Sequence, residues 1–409
     1  MSEIAATRSR LPAIIVVIAG CMVGLLAFGP RATMGLFLTP MTDAHGWSRE
    51  IFSLAIALQN LIWGFGQPVA GMLADRYGTA KVIVGGAVFY AAGLVLMGQS
   101  SDPILLQLTA GGLIGIGVSG CAMFLVFSAF ARLLPEHLRS ISFGLGTAAG
   151  SAGQLVFAPI GRALIDGYGF QIALIIMASV LVIIPLLAIP LRGKPADAAE
   201  AGQIQQSVGQ AIQEAFGHRS FNLLVAGFFV CGFHVAFITV HLPPYIQDLG
   251  FDPSWGAWAI AAIGFFNIIG SIASGYLGGI YPKRTVLSLI YLGRAVVIAV
   301  FLVMPISPIS IVIFAGAMGL LWLSTIPLTQ GLVVVMFGTR YMATLFGFVF
   351  VSHQVGSFLG IWLGGYLYDT TGSYDPIWWI GIGLGIFAAI VHWPISEAPV
   401  ERSVRARTQ

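Results

Sequence analysis

Apolar residues gather into long runs separated by short polar or turn-rich breaks along the whole chain. The runs lie near residues 11–38, 48–74, 80–99, 103–131, 139–165 and 169–190, with a second set near 220–247, 254–280, 284–304, 308–337, 341–368 and 374–395. Each holds roughly 20 residues or more, which at a rise of about 1.5 Å per residue spans a hydrocarbon core of about 30 Å. The pattern predicts an all-α membrane protein of twelve transmembrane helices. Residues 192–219, between the sixth and seventh runs, form the longest polar stretch. Within it Ile204, Val208, Ile212 and Phe216 recur every fourth position among Gln and Glu. That spacing suits an amphipathic helix lying on the membrane surface, or a partly helical linker. The expected organisation is a six-helix bundle over 1–191, a linker over 192–219, and a second six-helix bundle with a tail over 220–409.

Composition narrows the class. Of 409 residues, 57% are hydrophobic and 9% charged, which excludes a water-soluble domain, because such a domain needs more charge at its surface. The 52 glycines and 20 prolines fit membrane helices, where small residues allow close approach and neighbours satisfy freed backbone groups. Cys21, Cys121 and Cys231 fall in separate apolar runs with neither metal-ligand nor pairing spacing, so they read as packing residues. Arg8 and Arg10 precede the first run as in a signal peptide, but a run from Leu11 to about Leu38 is too long for one and reads as a span.

An even number of spans puts both termini on one side. Fifteen of the 19 Lys and Arg residues then fall on that side, and only Arg49 and Arg162 on the other. The positive-inside rule makes the termini and the linker cytoplasmic, in an inner or plasma membrane. Arg31 and Arg294 are the two remaining cations and lie within spans, whereas all 16 acidic residues lie in loops or at span ends.

A motif repeats. Gly71-Met72-Leu73-Ala74-Asp75-Arg76-Tyr77-Gly78 ends the second span, and its pattern G-x-L-x-D-x-x-G returns at Gly365-Tyr366-Leu367-Tyr368-Asp369-Thr370-Thr371-Gly372, ending the eleventh. A weaker copy surrounds Asp166 and Gly169, and a degenerate one, Gly275 to Gly279, ends the eighth with Gly279 in place of the aspartate. Positions 75, 166, 279 and 369 are 91, 113 and 90 residues apart. A three-helix unit is therefore used four times, inverted within each half and repeated in parallel between halves with an offset of 204. The same offset joins Leu38-Thr39-Pro40 to Leu242-Pro243-Pro244. Nested inverted repeats are an architecture of secondary transporters, with the binding site at the repeat interface near the midplane.

The stretch GMLADRYGTAK, Gly71 to Lys81, resembles the signature loop of the major facilitator superfamily, with Thr79 replacing the usual basic residue. In that superfamily the loop's aspartate helps latch the two halves in the outward-open state. The resemblance implies a conformational latch of Gly71, Asp75, Arg76, Gly78 and Lys81. A carboxylate at a helix end also caps a neighbouring helix or pairs with Arg76 on physical grounds alone. Gly46-Trp47-Ser48, Phe28-Gly29-Pro30-Arg31 and Gly347 to His353 resemble the branch of monocarboxylate transporters and oxalate/formate antiporters. That likeness matches a basic residue of the branch to Arg31 and a lysine of the oxalate/formate carriers to His353. The branch's eighth-span arginine, in an Asn-x-x-Gly-Arg pattern, falls at Ser271, after Asn267 and Gly270, and is not carried over.

Ionisable groups inside spans are functional candidates because they cost several kcal/mol to bury in hydrocarbon. Arg31 lies about 20 residues, hence roughly 30 Å, along the first span, and its guanidinium offers a two-pronged bond to an oxyanion, with snorkelling or pairing to Asp43 as the structural alternative. Arg294, in the ninth span, suits an interhelical structural bond or a substrate contact. His353 sits near mid-span beside Gln354 and binds an anion when protonated, or simply packs. His234 and His241 are seven residues apart on one face, and no acid or thiol joins them to make a metal site. Asn60 and Trp63 share a face of the second span with Gln67, and Asn267, Gln154 and Trp322 add polar groups to the eighth, fifth and tenth. Each of these either bonds helices together or holds a solute.

The expected function is a secondary or facilitative carrier of a small organic anion, a carboxylate, because the intramembrane balance is positive with no compensating acid. A proton or a counter-anion is the expected second partner, the bilayer is the solvent, and no cofactor, metal, nucleic acid or further subunit is implied. An efflux carrier for a drug or neutral metabolite on the same fold is the alternative, although such carriers for cations usually hold a membrane acid. A receptor or an intramembrane enzyme is the alternative of another class. No G-x-x-x-x-G-K-[ST] loop is present to bind a nucleotide.

Overall fold

The computed structural model describes residues 13–193, 207–338 and 341–400. Among these residues the chain is helical, with twelve long helices: α1 (Ala13–His45), α2 (Arg49–Tyr77), α3 (Thr79–Gly98), α4 (Pro103–Leu133), α5 (136–168), α6 (170–191), α7 (Arg219–Asp248), α8 (Ser254–Ile280), α9 (Lys283–Val303), α10 (Pro308–Phe337), α11 (Met342–Thr371) and α12 (Asp375–His392). Most are long and apolar enough to cross a bilayer. The second carries three mid-helix amides, Gln59, Asn60 and Gln67, which mark it as lining polar contacts rather than lipid.

Helix ends follow from local chemistry. The motif glycines Gly78, Gly169 and Gly372 all adopt positive φ, of 98°, 79° and 72°. A side chain is disfavoured there, so the repeated D-x-x-G ends a helix with the one residue that turns without strain. Gly169 separates α5 from α6 in this way. The first helix runs further than its apolar run, to His45, where Gly46 stops it at φ 65°. It is interrupted at Thr33, just after Pro30, whose missing N–H loosens the turn. Two other helices break in mid-span. Ala122 in α4 is extended, and residues 322–324 interrupt α10. These breaks lie near the 204-residue offset from each other, as the parallel repeat requires.

Of the linker, Val208–Gly217 is a helix that opens with a capping box between Ser207 and Gln210. Ala211 and Ala215 are its buried positions, whereas Val208 and Phe216 are exposed. Ile204 and the tail beyond Val400 lie outside the described residues.

The buried apolar side chains form two clusters. One draws largely on residues 16–191 and includes Phe37, Phe52, Tyr90 and Phe130. The other draws largely on residues 215–395 and includes Phe221, Tyr291, Trp322 and Trp378. The clusters meet along α2 with α11, α5 with α8, and α1 with α7. Glycines permit that approach: Gly35 abuts the Thr239 and Val240 backbone, Gly64 abuts Gln354, and Gly365 abuts Ser53.

The meeting is uneven along the membrane normal. On the side away from the termini, Arg49 forms a two-pronged ion pair with Asp248, at 2.6 and 2.7 Å, and donates to the Tyr374 hydroxyl at 2.9 Å. Near mid-depth, Gln354 bonds to the Asn60 carbonyl and Gln154 to the Ile260 carbonyl. On the side of the termini, Val69, Met72 and Leu73 of α2 and Ile141 and Leu145 of α5 become exposed, as do Ile272 and Tyr276 of α8. A cavity of about 190 Å³ opens there between α5 and α8. The structure is closed away from the termini and open toward them.

Candidate functional site

Arg31 projects from α1 at its Pro30–Thr33 interruption, where the Thr33 hydroxyl returns a hydrogen bond to the Pro30 carbonyl at 2.7 Å. Its guanidinium donates through Nη2 to the Asn60 side-chain oxygen. Asn60 is held in turn by donating its own amide to the Ile56 carbonyl at 2.8 Å. The guanidinium carbon lies 4.5 Å from the ring centroid of Trp63 and 5.5 Å from that of Phe28, so the cation rests on aromatic faces rather than against a carboxylate. The Arg31 Nε is buried without a protein acceptor. A guanidinium carries five donors and no acceptor, and this one is left with capacity to bind an oxyanion.

The network continues into the second half. Gln354 on α11 donates to the Asn60 carbonyl at 2.9 Å, and its side-chain oxygen lies 3.0 Å from His353 Nδ1. Because that oxygen can only accept, Nδ1 carries the ring proton when His353 is neutral, which leaves Nε2 as an acceptor. Phe350 stacks on His353, with centroids 5.6 Å apart and planes at 12°, and meets Trp63 edge-on at 5.2 Å. Arg31, Asn60, Trp63, Gln354 and His353 therefore form one polar and aromatic chain across the join between halves. Its aromatic members on the second half, Phe350 and Phe228, are not distinguishable by sequence from the many lipid-facing phenylalanines.

A second wall stands between α5 and α8. Asn267 donates to the Ser151 hydroxyl at 2.8 Å and accepts from the Ser271 hydroxyl at 3.2 Å and from Leu323 N at 3.0 Å. The neighbouring cavity is lined by Thr147, Ser151, Ser271, Ile272, Tyr276 and Pro327, among others. Gln154, one turn along α5 from Ser151, is spent on the Ile260 carbonyl at 3.1 Å. The hydroxyl set escapes sequence reasoning because Ser and Thr in membrane helices commonly bond their own backbone, as Thr147 and Ser151 do here.

The remaining candidates lie elsewhere. Arg294 is fully buried within the second half and donates to the carbonyls of Leu321 and Trp322 and to the Cys231 sulfur. Those carbonyls end the first half of α10, so the cation caps a broken helix at its negative end. Trp322 is buried in the same core. His234 bonds the Gly381 carbonyl on α12 at 2.7 Å. His241 bonds the Ile361 carbonyl at 2.8 Å and the Tyr374 hydroxyl at 3.1 Å. The shared face of these two histidines is turned toward α11 and α12, not toward Arg31. In the signature loop, Gly71 and Gly78 bracket the end of α2 and Arg76 lies over the Tyr77 ring at 5.3 Å, with Lys81 exposed in the first turn of α3. The Asp75 side chain, on which the latch expectation falls, lies outside the described residues. No group of three potential metal ligands occurs among the described residues.

Comparison with known proteins agrees with the helical fold. Residues 20–361 match the profile of the Major Facilitator Superfamily. The chain is 28% identical over 359 residues to the uncharacterized MFS-type transporter YcxA of Bacillus subtilis (strain 168), covering 86% of this chain and 87% of that protein. It is 25% identical to monocarboxylate transporter 13 of Bos taurus, covering 95% and 91%. Among solved structures, a bacterial homologue of the human lysosomal transporter Spinster, in an inward-facing and unoccupied conformation, superposes with a TM-score of 0.70 at 16% identity, covering 94% and 95%. A D-xylose-proton symporter superposes with a TM-score of 0.72 at 15% identity, covering 93% and 97%.

Proposed function

The chain belongs to the major facilitator superfamily, and from that premise we propose that it carries a small organic anion, a carboxylate, across the membrane by alternating access. The observation that carries this reading is Arg31: an interfacial guanidinium with an amide, two aromatic rings and an unpartnered buried Nε around it, and no ion pair to a carboxylate among the described residues. In a low-dielectric cleft such a group favours a ligand that brings the missing negative charge. The relative named monocarboxylate transporter 13 supports the same class.

In this reading the termini and linker are cytoplasmic, the bundles 1–191 and 220–409 are the moving bodies, and the present form is inward-facing. The ligand reaches Arg31 from the cavity between α5 and α8, where Thr147, Ser151 and Ser271 offer hydrogen bonds to its uncharged part. Asn60, Trp63, Gln354 and His353 position it from the α2–α11 side. When the halves rock, the contacts at Arg49 and Asp248 part and those at the signature loop form. A proton or counter-anion balances the transported charge. Asn267, Gln154, Trp322, His234, His241 and Arg294 support the helices that bear the site.

The test is a thermal-shift screen of the purified protein against organic anions, sugars and cations, since a ligand that prefers the folded carrier stabilises it by mass action. Stabilisation by monocarboxylates, lost in Arg31→Gln, is expected. Stabilisation by sugars or cations alone rejects the anion reading in favour of a carrier for neutral or cationic solutes.

A further inference from the structure

The repeated motif leaves two acids that the transport reading does not use: Asp166, which pairs with Arg162 one turn back on its own helix, and Asp369. Asp369, the aspartate of the copy ending α11, reaches across the join between halves to the first turn of α2. Its two carboxylate oxygens accept hydrogen bonds from the backbone N–H groups of Arg49, at 3.1 Å, and Glu50, at 2.7 Å. The first N–H groups of a helix have no partner in their own helix and carry its positive dipole end, so a carboxylate there satisfies both needs. Three further contacts surround this one. The Trp362 indole donates to the Glu50 carboxylate at 3.0 Å. Arg49 pairs with Asp248, and its guanidinium lies 3.8 Å from the centroid of the Tyr368 ring, the residue beside Asp369.

The inverted repeat gives this arrangement its meaning. Asp75 ends α2 on the side of the termini, and Asp369 ends α11 on the opposite side, at equivalent places in the same motif. Helices α2 and α11 run antiparallel and pack together between these two ends. Asp369 therefore meets the N-terminus of α2, and Asp75 stands at the end of α2 nearest the start of α11. We propose that Asp369 is a positioning residue for the transport cycle: a latch that holds the side away from the termini closed by capping α2. Asp75 is its counterpart for the other state. The proposal is independent of which solute is carried and of the orientation in the membrane.

The test uses the full-length purified protein with spin labels on Ser101→Cys and Met304→Cys, both in loops on the side away from the termini and on opposite halves. In the wild-type background a short interlabel distance is expected to dominate. Asp369→Asn keeps the shape but removes the charge, and it is expected to raise the population with a long distance roughly two- to thirtyfold, the range that a charge at a helix N-terminus is worth. Asp369→Glu should restore much of the short-distance population. Arg49→Gln, which leaves the capped N–H groups in place, should produce a smaller opening and serves as a second probe if Asp369→Asn does not fold. A distance distribution unchanged in Asp369→Asn, or an opening in Arg49→Gln as large as that in Asp369→Asn, overturns the proposal.

Discussion

Arg294 reaches the carbonyl oxygen of Leu321 through both Nε, at 3.1 Å, and Nη2, at 2.7 Å. With the adjoining bond to Trp322, the cation closes the carbonyl end of the first half of α10, while Asn267 holds the amide of Leu323 from the other side of the break. A discontinuous helix survives in the membrane only when its freed backbone groups find such partners. This gives an intramembrane arginine without an acid a structural role, served by Nε and Nη2, while its Nη1 is buried without a partner among the described residues.

Arg294→Gln should therefore destabilise the protein and leave the affinity of the surviving fold for anions unchanged. Each buried carbonyl left unmet costs about 1–3 kcal/mol, so a large fall in the apparent melting temperature of purified protein is expected. Arg294→Lys, with a compact ammonium in place of the fork, should fall between. Wild-type melting together with lost anion binding would move Arg294 into the substrate path.

The span pattern, the fourfold motif and the charge asymmetry were legible in the chain because each repeats or accumulates over many residues. The positive-φ glycines confirm the motif in detail, since a D-x-x-G pattern ends a helix wherever it occurs. Part of the interfacial cluster was legible too: Arg31, Asn60, Trp63, His353 and Gln354 were each recognisable as polar or ionisable groups inside apolar runs. What linear reading lacks is the direction of a helix face. His234 and His241 share a face, but only packing decides that it meets α11 and α12. Likewise Asp369 is one acid among many until the start of α2, more than 300 residues earlier, is brought against it. The break in α10 left a faint signal in Ser324-Thr325-Ile326-Pro327, a polar and proline-bearing step within an apolar run.

The termini are expected to face the cytoplasm, because loop cations lie almost wholly on their side. Cysteines placed at Gln213, exposed on the linker helix, and at Ser403 should resist a membrane-impermeant thiol reagent in intact cells. A cysteine at Ser101 should react. Labelling in the reverse pattern would invert the topology and make the present form outward-facing.

Asp75→Asn is expected to slow transport while leaving ligand affinity within a few-fold, since a latch changes the balance of states more than the site. Its effect on the interlabel distance should be opposite in sign to that of Asp369→Asn: fewer molecules open on the side away from the termini. Transport at the wild-type rate would reduce the signature loop to a turn.

Arg31 is expected to be the principal anion-holding residue. It stands where the two halves meet, rests on Trp63 and Phe28, and keeps a buried Nε without an acceptor. Asn60 is too weak a partner to neutralise it, because an amide oxygen carries only a partial charge. Arg31→Lys keeps the charge but loses the planar fork and the aromatic stacking, so it should bind a monocarboxylate more weakly than wild type. Arg31→Gln should lose most binding. A charge-assisted contact is worth roughly 1.5–3 kcal/mol, or about ten- to a hundredfold in affinity. Titration calorimetry on folded, monodisperse variants reads this directly, with the best-stabilising carboxylate from the thermal screen as ligand. Because Asn60 and Trp63 hold each other's surroundings through Arg31, Asn60→Ala should weaken binding less than Arg31→Gln, and the double variant should be no worse than Arg31→Gln alone. If Arg31→Gln binds that carboxylate as tightly as wild type, the anion is held elsewhere and Arg31 is a structural bridge between α1 and α2.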